Sequence, residues 1–310
     1  MSSPGHRRVR TFLPGDEQAL VEAWNLSMPA DPVTSRWWRD KVLLDPNFDP
    51  GGLIVADDAG RVAGCAYAIR RLTPLAPGLD LEPETGWIPF LFVTPEHRGS
   101  GLGARLLEAA LEFLRDRRRV DFACYTPHYL LPGVDPELYP AAGALLRGRG
   151  FEKVTTAVAM DRGLAAYAPP PTGLPSGYEV REPVDGELPE LVRFAAGFNP
   201  DWGEAIRKFR DNARLLIARN DRIVGFTAYG AYEGPAERFG PFGVDPEERG
   251  AGLGKILLHR TLARMRAEGL HTAWFLWTGQ DTPAYHLYLK AGFHVTRTFD
   301  VMRLRHHSRP

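Results

Sequence analysis

Two long glycine-rich segments of nearly the same sequence lie 151 residues apart in this chain, counted from Val93 to Val244. The first reads Val93-Thr-Pro-Glu-His-Arg98-Gly99-Ser-Gly101-Leu-Gly103, and the second reads Val244-Asp-Pro-Glu-Glu-Arg249-Gly250-Ala-Gly252-Leu-Gly254. Self-similarity at a fixed spacing is the sequence signature of a repeated unit. We therefore expect two copies of one fold, each with its own glycine segment.

The sequence around each glycine segment predicts the same order of elements in both copies. A strand, two helices and two further strands come first, and another strand then leads into the glycine segment. An amphipathic helix, an apolar strand, a short helix and a last strand follow. A Gly-Phe pair precedes the last strand at Gly150-Phe151 and again at Gly292-Phe293. This order predicts a mixed α/β fold, with a twisted mixed β-sheet flanked by helices in each copy.

A proline-rich stretch separates the two copies. Residues 165–177 read Ala-Ala-Tyr-Ala-Pro-Pro-Pro-Thr-Gly-Leu-Pro-Ser-Gly, and such a composition favours an extended spacer over a helix or a strand. We therefore predict an N-terminal domain at residues 1–165, a linker at 166–177 and a C-terminal domain at 178–310.

Length and charge bound the class of protein. The 310 residues suit two domains, and 38 basic residues balance 38 acidic ones. Without a net positive field, binding to nucleic acid or to a membrane surface has little electrostatic support. No segment resembles a signal peptide or a membrane span. The two cysteines, Cys65 and Cys124, lie in apolar runs typical of reduced core thiols. We expect a cytoplasmic protein that binds no metal.

The glycine segments have the chemistry of a phosphate site. Glycines let the backbone approach a ligand closely and adopt dihedral angles closed to other residues, and N–H groups at the start of a helix attract a pyrophosphate. A P-loop would need serine or threonine after a Gly-Lys pair, but Ile256 follows Gly254-Lys255. A dinucleotide motif reads Gly-x-Gly-x-x-Gly, whereas the spacing here is Gly-x-Gly-x-Gly.

The pattern Val-x-Pro-x-x-Arg-Gly-x-Gly-x-Gly, between a strand and a helix, resembles the acetyl-CoA-binding motif of the GCN5-related N-acetyltransferases, the GNAT superfamily. The resemblance covers nearly the whole chain twice, and each Gly-Phe pair falls where that family has its second motif. It implies that both loops hold the pyrophosphate of coenzyme A and that the preceding strand pairs with the pantetheine arm. The residues that it assigns to acetyl-CoA are Val93, Arg98, Gly99, Gly101, Gly103, Gly243, Val244, Arg249, Gly250, Gly252 and Gly254.

The two copies differ at one position that matters for proton transfer. Family members often carry a tyrosine four residues before the glycine of the Gly-Phe pair, where it protonates the departing thiolate. The second copy has Tyr288 there, whereas the first has Leu146, which cannot donate a proton. We therefore expect the second copy to be catalytic and the first to be structural, regulatory or served by another donor. The tyrosines that could replace the missing donor are Tyr125, Tyr129 and Tyr139.

The chemistry of a thioester and an amine indicates how such a reaction would proceed. A neutral primary amine attacks the acetyl carbonyl directly, in a ternary complex with both substrates bound. N–H groups near Gly243 and Val244 then stabilise the developing oxyanion. The general base is Glu233 or Glu237, acting through water, unless both are solvated loop carboxylates.

Aromatic residues of the second copy are candidates for the acceptor pocket. Alternation along Trp274-Phe275-Leu276-Trp277 places Phe275 and Trp277 on one face of their strand. Trp202 follows the loop between the first two helices, which should cover the pocket. These three residues either stack on a sugar or a flat ring or belong to the core.

Three classes of function remain open. The leading interpretation is an acetyl-CoA-dependent N-acetyltransferase acting on a primary amine of a small molecule. Residues 240–244 and 275–278 are similar to bacterial glucosamine or glucosaminide acetyltransferases, which points to an amino sugar, whereas the mycothiol synthases share only the cofactor loops. The alternatives are a noncatalytic acyl-CoA sensor or interaction module and a protein or peptide N-acetyltransferase. We expect a monomer with pseudo-dimeric domains or a homodimer.

Overall fold

The computed structural model describes residues 8–128, 130–171, 173–208, 211, 213–232 and 234–305. The elements of the first half follow the predicted order. They are β1 Arg8–Thr11, α1 Glu17–Ser27, α2 Ser35–Trp38, β2 Leu53–Asp58, β3 Arg61–Ile69, β4 Thr85–Val93, α3 Leu102–Phe113, β5 Arg119–Phe122, α4 Pro140–Gly148 and β6 Glu152–Gly163. A π-helical turn at Arg39–Leu43 continues α2, and a 3₁₀ turn at Pro95–His97 leads into the first glycine loop.

The same order recurs in the second half, which confirms the prediction of a mixed α/β fold present twice. The elements are β7 Glu179–Arg181, α5 Leu188–Phe198, α6 Pro200–Lys208, β8 Arg214–Arg219, β9 Ile223–Tyr229, β10 Phe239–Val244, α7 Leu253–Ala267, β11 Thr272–Gly279, α8 Pro283–Lys290 and β12 His294–Arg305. A 3₁₀ turn at Pro246–Glu248 leads into the second glycine loop. The described residues of the predicted linker, 166–177, form neither helix nor strand.

The chain divides into two compact units, and the division differs from a simple cut at the linker. The first unit contains Met1–Thr156 and Phe299–Pro310, and the second contains Ala157–Thr298. The cause is an exchange of last strands, because β12 pairs antiparallel with β5 in the first unit and β6 pairs antiparallel with β11 in the second. Each sheet is therefore completed by the last strand of the other copy.

The sheet of the first unit opens at one end. Its strands have the order β1-β2-β3-β4-β5, antiparallel from β1 to β4 and parallel between β4 and β5. The parallel pairing runs only from Thr85 opposite Arg119 to Ile88 opposite Phe122. Because β5 ends there and β4 continues to Val93, the two strands part on the way to the glycine loop. Backbone groups of an unpaired strand edge are available to another chain or a ligand.

Helices cover both faces of this sheet. On one face Trp24 of α1 is fully buried, with ring centroids 4.8 Å from Phe90 and 5.5 Å from Phe92 of β4. On the other face, Leu106 of α3 and Ile88 of β4 belong to one buried cluster. Each large apolar side chain buried in this way contributes about 1.5–3 kcal/mol relative to exposure. β4 is therefore packed on both faces, which holds the start of the following loop in place.

The second unit repeats the arrangement around its own glycine loop. Its antiparallel strands have the order β10-β9-β8-β7. Arg238, just before β10, forms a parallel bridge with Trp274 of β11, and the Trp274 N–H donates to the Glu237 carbonyl at 3.1 Å. A bulge between Phe239 and Phe242 follows in β10. The strand then continues to the second glycine loop, as β4 continues to the first.

No helix among the described residues is long and apolar enough to cross a bilayer. The described residues also contain no group of three or more metal-ligating side chains. Cys65 and Cys124 are both free. Burial raises the pKa of both thiols, and a thiol with a raised pKa is a poor nucleophile.

Candidate functional site

Both glycine loops have the same backbone conformation. Gly99 and Gly101 have φ angles of 74° and 78°, and Gly250 and Gly252 have φ angles of 96° and 79°. These left-handed values favour glycine strongly. Gly101 and Gly252 cap the starts of α3 and α7, where the first N–H groups have no partner within the helix. Each loop therefore has the local geometry of a phosphate-binding site.

The last glycine of each loop allows a second helix to pack closely. A Cβ on Gly103 would lie 3.4 Å from Leu145 Cδ2, and one on Gly254 would lie 3.5 Å from Leu287 Cδ2. Leu145 belongs to α4 and Leu287 to α8. The two helices thus contact their loops through equivalent residues, which fixes α4 and α8 in the same register.

The matched register places Leu146 and Tyr288 at equivalent positions. Each follows the leucine that contacts the glycine loop. Each also accepts a backbone hydrogen bond from the phenylalanine of the Gly-Phe pair, Phe151 N–H to Leu146 at 3.1 Å and Phe293 N–H to Tyr288 at 3.0 Å. The correspondence read from sequence spacing therefore has the same backbone geometry in both units.

A cleft of about 550 Å³ lies beside the glycine loop of the first unit. It is enclosed by the end of α1, the end of β4, the loop itself and the start of α4. The predicted cofactor residues that line it are Val93, Arg98, Gly99, Gly101 and Gly103. A cleft of this size is typical of small-molecule sites, and all five residues predicted for the first copy meet around it.

Arg98 is held in place at the edge of this cleft. Its Nη2 donates to the Ser27 carbonyl at 2.9 Å and its Nε to the Val93 carbonyl at 3.2 Å. These bonds connect the glycine loop to the end of α1 and leave a fixed positive charge beside the cleft. Its counterpart in the second unit, Arg249, is exposed.

His97 also lines the cleft, although its sequence context gave no sign of it. The ring is buried, with Nδ1 2.7 Å from Thr94 Oγ1 and Nε2 3.0 Å from Asp58 Oδ2. Asp58 ends β2, so the contact joins the loop to a strand far away in sequence. The second copy has Glu248 at this position, where it accepts a hydrogen bond from Tyr178. Only the folded sheet brings these partners together.

Tyr288 lies in an aromatic cluster of the second unit. Its ring centroid is 4.5 Å from that of Phe275, 5.5 Å from Phe293, 6.0 Å from Phe239 and 6.1 Å from Phe242. A phenol is protonated at neutral pH, and burial raises the pKa of the Tyr288 phenol further. A protonated phenol suits a proton donor, and the same packing suits a core residue. Its catalytic role therefore stays a prediction.

The two described candidates for a substitute donor, Tyr125 and Tyr139, both donate their hydroxyl protons to aspartates. Tyr125 is buried, and its hydroxyl donates to Asp45 Oδ1 at 2.9 Å. Tyr139 lines the cleft, but its hydroxyl donates to Asp31 Oδ2 at 2.6 Å. Tyr139 also lies about two helical turns, roughly 10 Å, before the position of the missing donor. Tyr129 lies outside the described residues.

Only one of the two candidate bases, Glu237, lies among the described residues. Glu233 lies outside the described residues, and Glu237 is half-buried just before β10, where its carbonyl accepts from Trp274.

Gly243 is a predicted oxyanion residue, and it is buried. A Cβ on Gly243 would lie 3.1 Å from Phe198 Cε2, so the glycine lets this ring pack directly on the strand.

The three candidate acceptor residues do not form one surface. Phe275 is buried against Tyr288, whereas Trp277 is 40% exposed. The expectation that they share a face is wrong, because a register shift between Phe275 and Thr278 interrupts the alternation of β11. Trp202 of α6 stacks on Phe198 at 5.8 Å, next to the strand that carries the oxyanion candidates.

Comparison with known sequences matches both halves of the chain. The acetyltransferase (GNAT) family matches residues 17–129 and 187–293. A mycothiol acetyltransferase from Thermobispora bispora is 32% identical over 94% of this chain and 97% of its own length. Another, from Saccharomonospora viridis, is 29% identical over 67% of this chain and 71% of its own. Similarity to this group thus extends well beyond the cofactor loops.

Solved structures share the tandem fold. A GCN5-related N-acetyltransferase from Sphaerobacter thermophilus superposes with a TM-score of 0.71 at 20% identity, covering 98% of this chain and 97% of that one. A tandem GNAT protein from the clavulanic acid biosynthesis pathway gives 0.68 at 18% identity, covering 98% and 99%. The glucosamine N-acetyltransferase region of a fungal β-N-acetylglucosaminidase gives 0.78 at 17%, covering 97% of this chain and 38% of that one.

Proposed function

The chain belongs to the acetyltransferase (GNAT) family, and on that basis we propose that it transfers the acetyl group of acetyl-CoA to a primary amine of a small molecule. The observation that carries the proposal is the pair of loops with left-handed glycines at the starts of α3 and α7. The loop before α7 is accompanied by the buried Tyr288, and the loop before α3 lies beside a cleft of about 550 Å³.

The loops have the backbone that a pyrophosphate needs. Amide N–H groups at the starts of α3 and α7 attract the phosphates, and Arg98 and Arg249 add positive charge at the loop entrances. Acetyl-CoA, once bound, supplies an activated thioester carbonyl. β4 and β10 then orient the acyl donor along their unpaired edges, and N–H groups near Gly243 and Val244 stabilise negative charge on the carbonyl oxygen.

Proton transfer is assigned to side chains of the second unit. An amine attacks only when neutral, so a base must first accept its proton. Glu237, with Glu233 as the alternative, fills that role through water. The phenol of Tyr288 is protonated at neutral pH, and it donates that proton to the departing thiolate.

The acceptor is inferred from the curated relatives. Two mycothiol acetyltransferases match most of the chain at about 30% identity, which supports an amine of a mycothiol-related molecule. An amino sugar is the second candidate, carried by the similarity of residues 240–244 and 275–278 to glucosaminide acetyltransferases. Trp202 and Trp277 are the aromatic residues left to bind either acceptor, since Phe275 packs against Tyr288.

Counting bound acetyl-CoA tests the cofactor sites. We expect two equivalents for the wild-type protein, and one for either Gly101→Glu or Gly252→Glu, because a carboxylate in the loop repels the pyrophosphate and a non-glycine residue is strained at these φ angles. Gly173→Glu is the control, since Gly173 lies in open space at an ordinary φ angle. One equivalent, lost only with Gly252→Glu, would make the first unit a scaffold. No binding at all would refute the proposal.

Release of free CoA thiol then identifies the acceptor. The panel contains the form of mycothiol that lacks its acetyl group, glucosamine, and a peptide with a free N-terminal amine. We expect the mycothiol-related amine to give the highest kcat/KM. Release with the peptide alone would support protein acetylation, and binding of acetyl-CoA without release for any member would support a sensor.

A further inference from the structure

A histidine and a buried carboxylate form a hydrogen-bonded pair in the first unit, away from the glycine loop. The Asp45 side chain is fully buried, and its Oδ2 accepts from His128 Nδ1 at 2.9 Å. Its Oδ1 accepts from the Tyr125 hydroxyl at 2.9 Å and from the Asn47 N–H at 2.7 Å. The carboxylate therefore fixes the ring of His128, which is itself 20% exposed. With Nδ1 engaged, Nε2 is the nitrogen available to take a proton.

A buried arginine with an unused donor lies next to this pair. The Arg71 side chain is 2% exposed. Its Nε donates to Glu82 Oε2 at 2.5 Å, and its Nη2 lies 3.4 Å from Thr126 Oγ1. Its guanidinium covers the rings of Trp87 and Tyr125 at 4.8 Å and 5.6 Å. Among the described residues, Nη1 has no hydrogen-bond partner. A buried donor without a partner is destabilising, and an oxygen atom of a ligand would remove that cost.

These groups lie where β4 and β5 part. The last backbone bond between the two segments runs from the Ala123 N–H to the Ile88 carbonyl at 2.9 Å. The chain then leads through Tyr125, whose ring is 5.7 Å from that of Trp87, to His128. A ligand extended along β4 from the glycine loop toward Ile88 would approach this cluster. The cluster therefore lies beside the first half of β4, and the other end of this strand leads into the first cofactor loop.

We propose that the first unit has an acceptor site of its own, in which His128, oriented by Asp45, takes a proton from a primary ammonium group and Arg71 Nη1 binds an oxygen of the same molecule. Because Glu82 already balances the charge of Arg71, the oxygen is a neutral hydroxyl or carbonyl. The acceptor class is thus a primary amine that carries a nearby hydroxyl or carbonyl oxygen. The proposal rests on the proposed function only for its acyl donor, acetyl-CoA.

The chemistry explains how this unit could work without a tyrosine at position 146. Primary amines such as lysine have a pKa of about 10.4, so only about one molecule in 2,500 is neutral at pH 7, whereas a thiol of pKa about 8.5 departs readily as a thiolate. The ammonium gives one proton to His128 and becomes an amine. The amine nitrogen forms a bond to the acetyl carbon, the carbon–sulfur bond breaks, and the second nitrogen proton passes to the thiolate or to water. A base is therefore more necessary here than an acid.

Acetyl-CoA and glucosamine, an amine with neighbouring hydroxyls, test the site in the Gly252→Glu protein, in which the second loop is disabled. We expect CoA release that saturates with glucosamine. Adding His128→Gln should lower kcat on the order of 10²-fold, while the protein still binds acetyl-CoA. His271→Gln, at an exposed histidine, is the control and should leave the rate unchanged.

Arg71→Lys gives a second measurement, because it keeps the charge and shortens the donor. We expect a higher KM for glucosamine with little change in kcat. Equal rates with and without His128→Gln would overturn the proposal, as would the absence of release from Gly252→Glu protein that still binds one equivalent of acetyl-CoA. Failure of the wild-type protein to bind acetyl-CoA would instead refute the proposed function, and with it this inference.

Discussion

The two units keep the same cofactor loop and differ in the side chains around it. Gly101 and Gly252 have φ angles of 78° and 79°, and α4 and α8 contact their loops through equivalent leucines. Position 146 nevertheless holds a leucine where position 288 holds a tyrosine. A phosphate loop depends on backbone geometry and on glycines, whereas proton transfer depends on one side chain. Duplicated domains can therefore lose the second property while keeping the first.

The strand before the loop shows a similar contrast. Phe92 of the first unit is buried against Trp24, with ring centroids 5.5 Å apart. The corresponding residue of the second unit is Gly243, and the space of a side chain there is filled by Phe198 from α5. The same volume is thus filled from the strand in one unit and from a helix in the other. This difference leaves the β10 backbone of the second unit free of a large side chain at the predicted oxyanion position.

The largest effect on turnover should come from removing the hydroxyl group of Tyr288. In Tyr288→Phe we expect turnover to fall on the order of 10²–10⁴-fold, as is typical for loss of a general acid. Binding of acetyl-CoA and the unfolding temperature should stay unchanged, since the ring packing is kept. Tyr285→Phe, on the same helix and half-buried, is the matched control. Unchanged turnover in Tyr288→Phe would show that Tyr288 is only a packed core residue.

The converse change, Leu146→Tyr, tests whether the first unit lacks only a donor. Leu146 is 1% exposed in the core between sheet and helices, so a larger polar side chain should lower the free energy of unfolding by about 1–3 kcal/mol. We expect no gain in turnover in a Gly252→Glu background, because a base rather than an acid limits this unit. Leu289→Tyr, at a leucine that is 40% exposed, should leave stability nearly unchanged. A large gain in turnover would show that the missing tyrosine is the sole defect.

Local patterns predicted the parts of the molecule that local chemistry determines. The glycine loops, the order of elements and the pairing of Leu146 with Tyr288 follow from motifs in which every residue is close in sequence. The bulge that separates Phe275 from Trp277 was missed, because one inserted residue in a strand leaves no signature in an apolar run. The pair His128 and Asp45 was missed because its members lie 83 residues apart and meet only in the folded sheet.

The exchange of last strands could not be predicted for a related reason. β6 and β12 have the same length, so length alone does not decide which sheet each of them completes. Which sheet accepts which strand depends on pairing with β5 and β11, and those contacts join residues more than 100 positions apart. A repeat therefore predicts that two sheets exist and leaves open which strand closes each of them.

The smallest expected effect is a pH dependence confined to the second unit. His259 of α7 is buried, and the Tyr167 hydroxyl lies 2.7 Å from its Nδ1. Burial, followed by the charges of Lys255 and Arg162, lowers the pKa of His259, so the folded protein holds the ring neutral. The unfolded chain binds that proton more readily, so the contribution to stability is complete above a pH of about 6.5 and is lost as the pH falls below it. We expect the unfolding temperature to drop more between pH 8 and pH 5.5 in the wild-type protein than in His259→Gln. His271→Gln, at an exposed histidine, should behave like the wild type, and equal drops in all three proteins would show that His259 is as easily protonated folded as unfolded.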